Sequence, residues 1–282
     1  MVTKLIDGKK LAEKVRNKLK LEVKSLKKKP KLSVILVGDD SASKIYVKNK
    51  QKYAVEIGIE SEVIKLDNSV SEDKLLKIIK KLNKNKKVSG ILVQLPLPKH
   101  IDEFNVINSI NPEKDVDGFT IYNKGLLSIG KPNLVPCTPL GIMEMLKEYK
   151  VKLAGKLAVV IGRSNIVGKP MAQLLLNNDA TVIQCHSKTK NLSEITSKAD
   201  ILITAVGKKG LITDKFVKNG AVVVDVAMVR DEKNKRWFGD VNFDKVSKKT
   251  SLITPVPGGV GPMTIAMLLQ NTITAYKKQN KK

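Results

Sequence analysis

Regular alternation between short apolar runs and amphipathic stretches is the feature that most constrains the fold of this chain of 282 residues. Apolar runs at 32–38, 62–66 and 89–95 predict strands, and periodic stretches at 41–58 and 71–83 predict helices, the second opening with a capping box. The second half repeats the pattern with the apolar runs KLAVVIG, TVIQC, ILITAV and AVVVDV. Strands that alternate with helices indicate βαβ units and parallel sheets. We therefore expect an α/β fold with two α/β domains and a cleft between them, the second a Rossmann-type doubly wound sheet.

A segment rich in proline and glycine, residues 111–139, separates the two halves and is interpreted as a hinge. A last helix is predicted from Pro262 to about Tyr276. In a protein of two such domains, the cleft between them is the default place for a small-molecule site.

The charge balance is unusual, because 52 Lys and Arg residues face 27 Asp and Glu residues and give a net charge of +25. One interpretation is a nucleic-acid-binding protein. Against it, the lysines are spread over helix-like segments without interleaved aromatic residues for base stacking. A solvated lysine-rich surface is the favoured interpretation, with some gain for binding anionic cofactors or substrates.

The scarcity of long apolar runs, cysteines and histidines limits which cellular locations and metal sites can be expected. Its apolar runs are shorter than the roughly 18 residues that span a bilayer, and its first residues lack the pattern of a signal peptide. Cys137 and Cys185 form neither a disulfide framework nor a metal spacing, and His100 and His186 are the only histidines. We expect a cytoplasmic protein with no membrane contact and no metal centre.

A strand that runs into a glycine turn and then a helix marks a candidate dinucleotide site. In VVIGRSNIVGKP, Gly162 ends the strand, Ser164 takes the place of a second glycine, and Gly168 comes one residue late. The pattern alone also fits an ordinary strand–helix turn. After the next strand, residues 186–190 read HSKTK where NAD enzymes place an acidic residue, and Arg163 lies in the turn. Hydroxyls and cations there suit a 2′-phosphate, so the predicted cofactor is NADP.

Three side chains of the first half share one helix face. Ser43, Tyr46 and Lys50 are three and four residues apart, which brings them within a narrow sector at roughly 100° per residue. A tyrosine hydroxyl beside a lysine amine can orient that amine for proton transfer. The alternative is chance, because a lysine-rich helix readily contains Tyr-x-x-x-Lys. Short-chain dehydrogenases use the same spacing, but after the nucleotide turn, which argues against that family here.

Three more segments are candidates for ligand contact. Gln94 ends the third strand, at the edge where open α/β sheets bind ligands, although a capped strand end would also explain it. Asp115 and Asp117 enter the connector, and a carboxylate is a natural partner for an amino-pyrimidinone edge; a turn-forming Asp-Gly is the alternative. The loop TPVPGGVGPMT at 254–264 combines three prolines with three glycines and favours a ligand-facing role.

Together these segments closely resemble the methylenetetrahydrofolate dehydrogenase/methenyltetrahydrofolate cyclohydrolase family. The matching stretches are VGDDSASKIYVKNKQK, GILVQLPLP, NPEKDVDGF, PCTP, VVIGRSNIVGKP, CHSKT and TPVPGGVGPMT, in family order from about residue 33 to 264. The resemblance implies oxidation of 5,10-methylenetetrahydrofolate with NADP, followed by hydrolysis of the methenyl product to 10-formyltetrahydrofolate. It also implies a folate domain at 1–120 plus 262–282, a Rossmann domain at 138–261, and a homodimer.

The resemblance further assigns roles to individual residues. Lys50 is implied as the essential cyclohydrolase residue, with Tyr46 near the reacting folate, Gln94 holding the Lys50 amine and Asp117 binding the pterin. The complete folate set implied is Ser43, Tyr46, Lys50, Val93, Gln94, Leu95, Asp117, Pro257, Gly258, Gly259, Val260 and Gly261. The NADP set implied is Gly162, Arg163, Ser164, Ser187 and Met228.

One departure from the family pattern concerns the cofactor, because Ala227, Met228 and Val229 stand where the family usually reads Gly-Ile-Asn. Two alternatives to the folate function stay open from the residues alone. The first is an NADP dehydrogenase acting on a shikimate- or amino-acid-type substrate, and the second is the basic nucleic-acid-binding protein. The expected partners are tetrahydrofolate derivatives, including polyglutamylated forms, and a second copy of the chain.

Overall fold

The computed structural model describes residues 3–231 and 236–280, and its elements follow the alternation expected from the sequence. In chain order they are β1 (Lys4–Leu5), α1 (Gly8–Lys24), β2 (Lys31–Val37), α2 (Ser41–Glu56), β3 (Glu60–Leu66), α3 (Glu72–Lys84), β4 (Gly90–Val93), α4 (Glu103–Asn108), α5 (Ile121–Ser128), α6 (Cys137–Glu148), β5 (Leu157–Ile161), α7 (Gly168–Leu176), β6 (Thr181–Cys185), α8 (Leu192–Thr196), β7 (Ile201–Thr204), a 3₁₀ turn (Asp214–Phe216), β8 (Val222–Asp225), β9 (Val229–Asp231), β10 (Arg236–Phe238), α9 (Phe243–Val246), β11 (Leu252–Ile253) and α10 (Val260–Gln279).

The chain divides into two compact units. The three-stranded unit comprises Glu13–Cys137 and Ile265–Lys282, and the six-stranded unit comprises Met1–Ala12 and Thr138–Thr264. The folate domain predicted at 1–120 included residues 1–12. In the structure β1 pairs in parallel with β11, so these first residues belong to the six-stranded unit. The expected hinge at 111–139 contains helix α5, and the chain passes from one unit to the other at its end, between Cys137 and Thr138.

The three-stranded unit is built on a parallel sheet of order β3-β2-β4. Its central strand β2 is buried along nearly its whole length, as expected of a strand covered on both faces. Helix α3 packs Leu75 and Ile79 into the same core as Ile35 and Ile91. Ser71 caps α3 by accepting from the backbone N–H of residue 74, but that residue is a lysine. Only half of the expected capping box is therefore present.

The six-stranded unit is built on a parallel sheet of order β1-β11-β8-β7-β5-β6. Strands β7 and β8 are buried throughout, which explains their continuous apolar runs. Crossover helices such as α7 connect neighbouring parallel strands, as in a Rossmann-type sheet. The expected α/β fold class is thus confirmed, and the antiparallel pair β9–β10 is an addition that the sequence pattern did not predict.

Among residues 3–231 and 236–280, no helix combines the length and apolar character needed to cross a membrane.

Candidate functional site

Helix α2 brings a lysine amine into the interior of the three-stranded unit. Asp40 caps the helix by accepting a hydrogen bond of 2.7 Å from the Ser43 backbone N–H. The buried residues of the helix are Ser43, Val47, Lys50 and Ala54, a spacing that defines one face. Lys50 is only 8 % exposed, so a residue type that normally lies in solvent is held on the inward face.

The Lys50 amine is oriented by the amide of Gln94. Lys50 Nζ donates to Gln94 Oε1 at 3.0 Å, and Gln94 Nε2 donates to the Leu95 carbonyl at 2.7 Å. The Gln94 backbone N–H bonds to the Ile35 carbonyl at 2.9 Å, which extends the β2–β4 pairing by one residue. The sheet edge therefore fixes the amide, and the amide fixes the direction of the amine.

Tyr46 lies one turn before Lys50 on α2 and is half-buried. Burial raises the pKa of its hydroxyl above the ordinary value, so the group stays neutral and able to donate a hydrogen bond. Ser43, one further turn back, is 5 % exposed. The three residues expected on one face are thus side by side on α2.

Asp117 supplies the carboxyl group of this site. Burial raises its pKa to about 6, the nearby positive charge of Lys50 opposes that rise, and the charge of Asp115 adds to it. Asp115 itself has a structural role: its Oδ2 accepts from the Thr120 backbone N–H at 2.8 Å and from Asn123 Nδ2 at 2.9 Å. Of the two acidic residues in DVDG, Asp117 is therefore the one with a carboxyl group available for a ligand.

Two residues outside the expected set contact this region. Cys137 Sγ donates to the Val116 carbonyl at 3.2 Å and to Asp117 Oδ1 at 3.8 Å. Burial raises the pKa of the Cys137 thiol well above its ordinary value, so it is a neutral donor. Asn271 of α10 donates to the Val116 and Val135 carbonyls, both at 2.8 Å. A polar residue inside the apolar run TIAMLLQNTITAY was the available sequence signal for Asn271.

Not every expected folate residue offers a side chain. Val93 is 4 % exposed and belongs to the apolar core with Ile35 and Ile91, so its side chain faces away from a polar site. Residues Pro257–Gly261 lie in the six-stranded unit. Their glycines pack against the start of the chain: the Lys9 N–H donates to the Gly258 carbonyl at 2.9 Å, and a Cβ on Gly8 would overlap the Gly259 carbonyl oxygen.

The glycine turn between β5 and α7 has the shape that the sequence indicated. Gly162 has φ of +127°, and a Cβ there would lie 2.6 Å from the Ala205 carbonyl oxygen. A Cβ on Gly168 would overlap the Gly162 carbonyl oxygen, so the late glycine is required by chain packing. The Ser164 hydroxyl accepts from the backbone N–H groups of Val167 and Gly168, both at 3.2 Å, and so occupies the start of the helix.

A pocket of about 390 Å³ opens beside this turn at the carboxyl ends of β5 and β6. Its lining is Ile161, Gly162, Arg163, His186, Ser187, Thr189, Leu192, Ala205, Val206, Lys208 and Leu211. Of the expected cofactor residues, Gly162, Arg163 and Ser187 meet here, whereas Ser164 and Met228 are not in the lining. The lining residues that the structure describes include cations and hydroxyls and no carboxylate, which suits a phosphate group.

A buried acidic residue that the sequence analysis missed shapes the same pocket. Asp240 Oδ2 accepts from Thr204 Oγ1 at 2.8 Å and from the Val206 N–H at 2.7 Å, and Oδ1 accepts from the Lys208 N–H at 2.7 Å. Because Val206 and Lys208 line the pocket, Asp240 fixes one of its walls. Nearby, burial raises the pKa of Asp225 to about 6.

Among residues 3–231 and 236–280, no group of three or more His, Cys, Asp or Glu side chains is arranged to hold a metal ion.

Known proteins match this chain over nearly its full length. The sequence model for the tetrahydrofolate dehydrogenase/cyclohydrolase catalytic domain matches residues 6–117, and that for the NAD(P)-binding domain of the same family matches residues 136–280. The bifunctional protein FolD of Streptococcus uberis is 56% identical over 275 residues, which is 96% of both chains.

Solved structures agree with these matches. The bifunctional methylenetetrahydrofolate dehydrogenase/cyclohydrolase FolD of Campylobacter jejuni is 51% identical with a TM-score of 0.96, covering 98% of this chain and 99% of that chain. The methylenetetrahydrofolate dehydrogenase-cyclohydrolase of Trypanosoma brucei, complexed with NADP and an inhibitor, is 38% identical with a TM-score of 0.95, covering 99% of each chain.

Proposed function

The chain belongs to the tetrahydrofolate dehydrogenase/cyclohydrolase family, and we propose that its Lys50–Gln94 pair carries out the hydrolytic half of the chemistry. The enzyme oxidises 5,10-methylenetetrahydrofolate to 5,10-methenyltetrahydrofolate with NADP, and then hydrolyses that product to 10-formyltetrahydrofolate. This function replaces both the shikimate- or amino-acid-type dehydrogenase and the nucleic-acid-binding interpretation.

The two steps place different demands on the protein. In the first, NADP accepts a hydride from the methylene carbon, and the protein holds folate and nicotinamide in register. In the second, water adds to the methenyl carbon, one carbon–nitrogen bond of the five-membered ring breaks, and one proton is released. Only the second step needs a side chain that moves protons.

The observation that carries the proposal is the 3.0 Å bond from Lys50 Nζ to Gln94 Oε1. An ammonium group has three donors, so one bond to the amide orients Lys50 and still allows a bond to substrate. Tyr46, neutral and one turn away, would contact the same folate ring. Asp117 would bind the amino-pyrimidinone edge of the pterin, where a carboxylate makes paired charge-assisted bonds.

The NADP site of the proposal is the pocket beside the glycine turn, with Arg163 and Ser187 at the 2′-phosphate. The turn backbone at Gly162 and the start of α7 would receive the pyrophosphate. Met228 and the neighbouring Ala227 would meet the nicotinamide half through backbone groups. The six-stranded unit is thus proposed as the NADP domain and the three-stranded unit as the folate domain.

Assembly and location form part of the same proposal. We infer a homodimer acting on folates that include polyglutamylated forms, for which a net charge of +25 is favourable. A reducing cytoplasm is supported by Cys137 and Cys185, both buried free thiols. Sedimentation equilibrium would test the dimer, and comparison of mono- and polyglutamyl substrates would test the preference.

The decisive experiment is Lys50→Met. Removing a general acid–base group typically costs about 10²–10⁴ in rate, so methenyltetrahydrofolate hydrolysis should fall to the uncatalysed background. Dehydrogenase activity should fall less, because hydride transfer needs no protein proton carrier. The measurement is single-turnover hydrolysis beside NADPH formation on one preparation.

Lys48→Met is the matched control, since Lys48 is an exposed residue of the same helix. It should leave both activities near the parent values. Hydrolysis at the parent rate in Lys50→Met would show that Lys50 has no part in the ring-opening step.

A further inference from the structure

Asn271 lies on α10 with only 4 % of its surface exposed, and its amide joins two separate chain segments. Its Nδ2 donates to the Val116 carbonyl and the Val135 carbonyl, each at 2.8 Å, and lies 3.6 Å from Cys137 Sγ. One side chain therefore ties the residue before Asp117 to the segment that leads into Cys137.

The residue after Asp117 is held against the same segment. Gly118 has φ of +69°, and a Cβ there would lie 2.7 Å from the Pro136 nitrogen and 2.8 Å from the Leu134 carbonyl oxygen. The backbone is thus packed closely at Gly118 and hydrogen-bonded at Val116, on either side of Asp117. Cys137 adds its weak thiol contact of 3.8 Å to the Asp117 carboxyl group itself.

We propose that Asn271 is a positioning residue for folate binding, which sets the place of the Asp117 carboxyl group through the Val116 and Val135 carbonyls. The inference rests on the proposed role of Asp117 in binding folate. Asn271 itself would touch neither substrate nor cofactor. Its amide acts only by holding the backbone that carries Asp117.

Asn271→Leu tests the proposal, because leucine is similar in size and cannot donate. The two carbonyls would lose a buried donor, the Asp117 backbone would shift, and the KM for methylenetetrahydrofolate should rise roughly tenfold. The KM for NADP should stay within about twofold of the parent, since the NADP pocket lies in the other unit. Asn271→Ser, which keeps one donor, should give a smaller rise and serves if the leucine variant does not fold.

Thr272→Val is the matched control. Thr272 is the next residue of α10, has 0 % exposure, and donates at 2.8 Å to the Leu268 carbonyl within the helix. This variant also loses one buried hydrogen bond but leaves residues 116–137 untouched, so its folate KM should equal that of the parent. Urea unfolding midpoints of both variants show whether their losses of stability are comparable.

A double variant with Asp117→Asn separates the inference from the function it rests on. If Asn271 acts through Asp117, Asn271→Leu should raise the folate KM much less in the Asp117→Asn background than in the parent. An undiminished effect in that background, or an equal rise in Thr272→Val, would overturn the positioning role while leaving Asp117 in place. An unchanged folate KM in Asp117→Asn alone would refute both.

Discussion

Lysine is among the residue types least often buried, and at Lys50 the surrounding fold shows why the exception is tolerated. Its neighbours on the buried face of α2, Val47 and Ala54, are small, apolar and themselves buried. The amine donates to the side-chain amide oxygen of Gln94, and its positive charge interacts with the Asp117 carboxyl group. A buried polar cluster of this kind is costly to assemble and is typical of a functional site.

The pKa of Asp117 gives a prediction about pH. Because burial raises that pKa to about 6, the carboxyl group is ionised above this pH and becomes protonated as the pH falls through it. Only the ionised form makes the charge-assisted pair with the pterin, so kcat/KM for methylenetetrahydrofolate should fall below about pH 6. The pH profile should lose this acid limb in Asp117→Asn, whose activity is low at every pH. A limb that persists in the variant would belong to another group.

Arg163 gives a prediction about the cofactor. Its side chain lines the pocket with Ser187, so Arg163→Gln should lower kcat/KM for NADP roughly tenfold through loss of one charge-assisted bond. The same variant should use NAD about as well as the parent does, because NAD has no 2′-phosphate. Lys198→Gln removes one exposed charge from the same unit outside the pocket and serves as the control. Equal losses with NADP and NAD would place Arg163 elsewhere on the cofactor.

At the scale of elements, the turn between β5 and α7 depends on Gly168. Its backbone φ is not in the left-handed region, so close packing is what requires a glycine there. Gly168→Ala should destabilise the enzyme by about 1–3 kcal/mol, because the new methyl group overlaps the Gly162 carbonyl oxygen. NADP binding should weaken with it, since the pocket wall at Gly162 must move. Urea unfolding and NADP titration measure the two effects.

Gly125→Ala is the opposite case and the control. Gly125 lies at an exposed position inside helix α5, and a Cβ there would meet nothing within 4 Å. The substitution should stabilise the enzyme by about 0.5–1 kcal/mol, because alanine favours the helix and loses less backbone freedom on folding. If both alanine variants were destabilised alike, the packing account of Gly168 would be wrong.

Helices and strands with a clear hydrophobic periodicity were predictable from the sequence. Contacts between residues far apart in the sequence were not. Helix α2 and strand β2 begin and end within two residues of the expected bounds, because each buries a face with its own repeat. Val93 was expected in the site, yet its side chain points into the core. The glycines of 254–264 were expected to face a ligand, which stays a prediction, and no sequence signal indicated that Gly258 and Gly259 also pack against residues 8–9.

At the scale of the whole molecule, the division into two α/β units was predictable. That each end of the chain belongs to the unit built mainly from the other half was only partly predictable. Helix α10 was expected to join the first half because of the family resemblance, and residues from 265 onward do so. Strand β1 has two residues, Lys4 and Leu5, and its partner β11 is also two residues long. Such short strands leave no periodic pattern, and their pairing joins residues nearly 250 positions apart.

The three passages of the chain between the units have a consequence for its synthesis. A ribosome makes residues 13–137 before the helix that completes their unit, and makes residues 1–12 long before the sheet that receives them. The six-stranded unit is incomplete until residue 264 has been made, and Asn271 joins the Asp117 region only once α10 has followed. We therefore expect a chain that terminates before α10 to leave both units incomplete. Such a chain should be degraded by quality-control proteases and should show neither dehydrogenase nor cyclohydrolase activity.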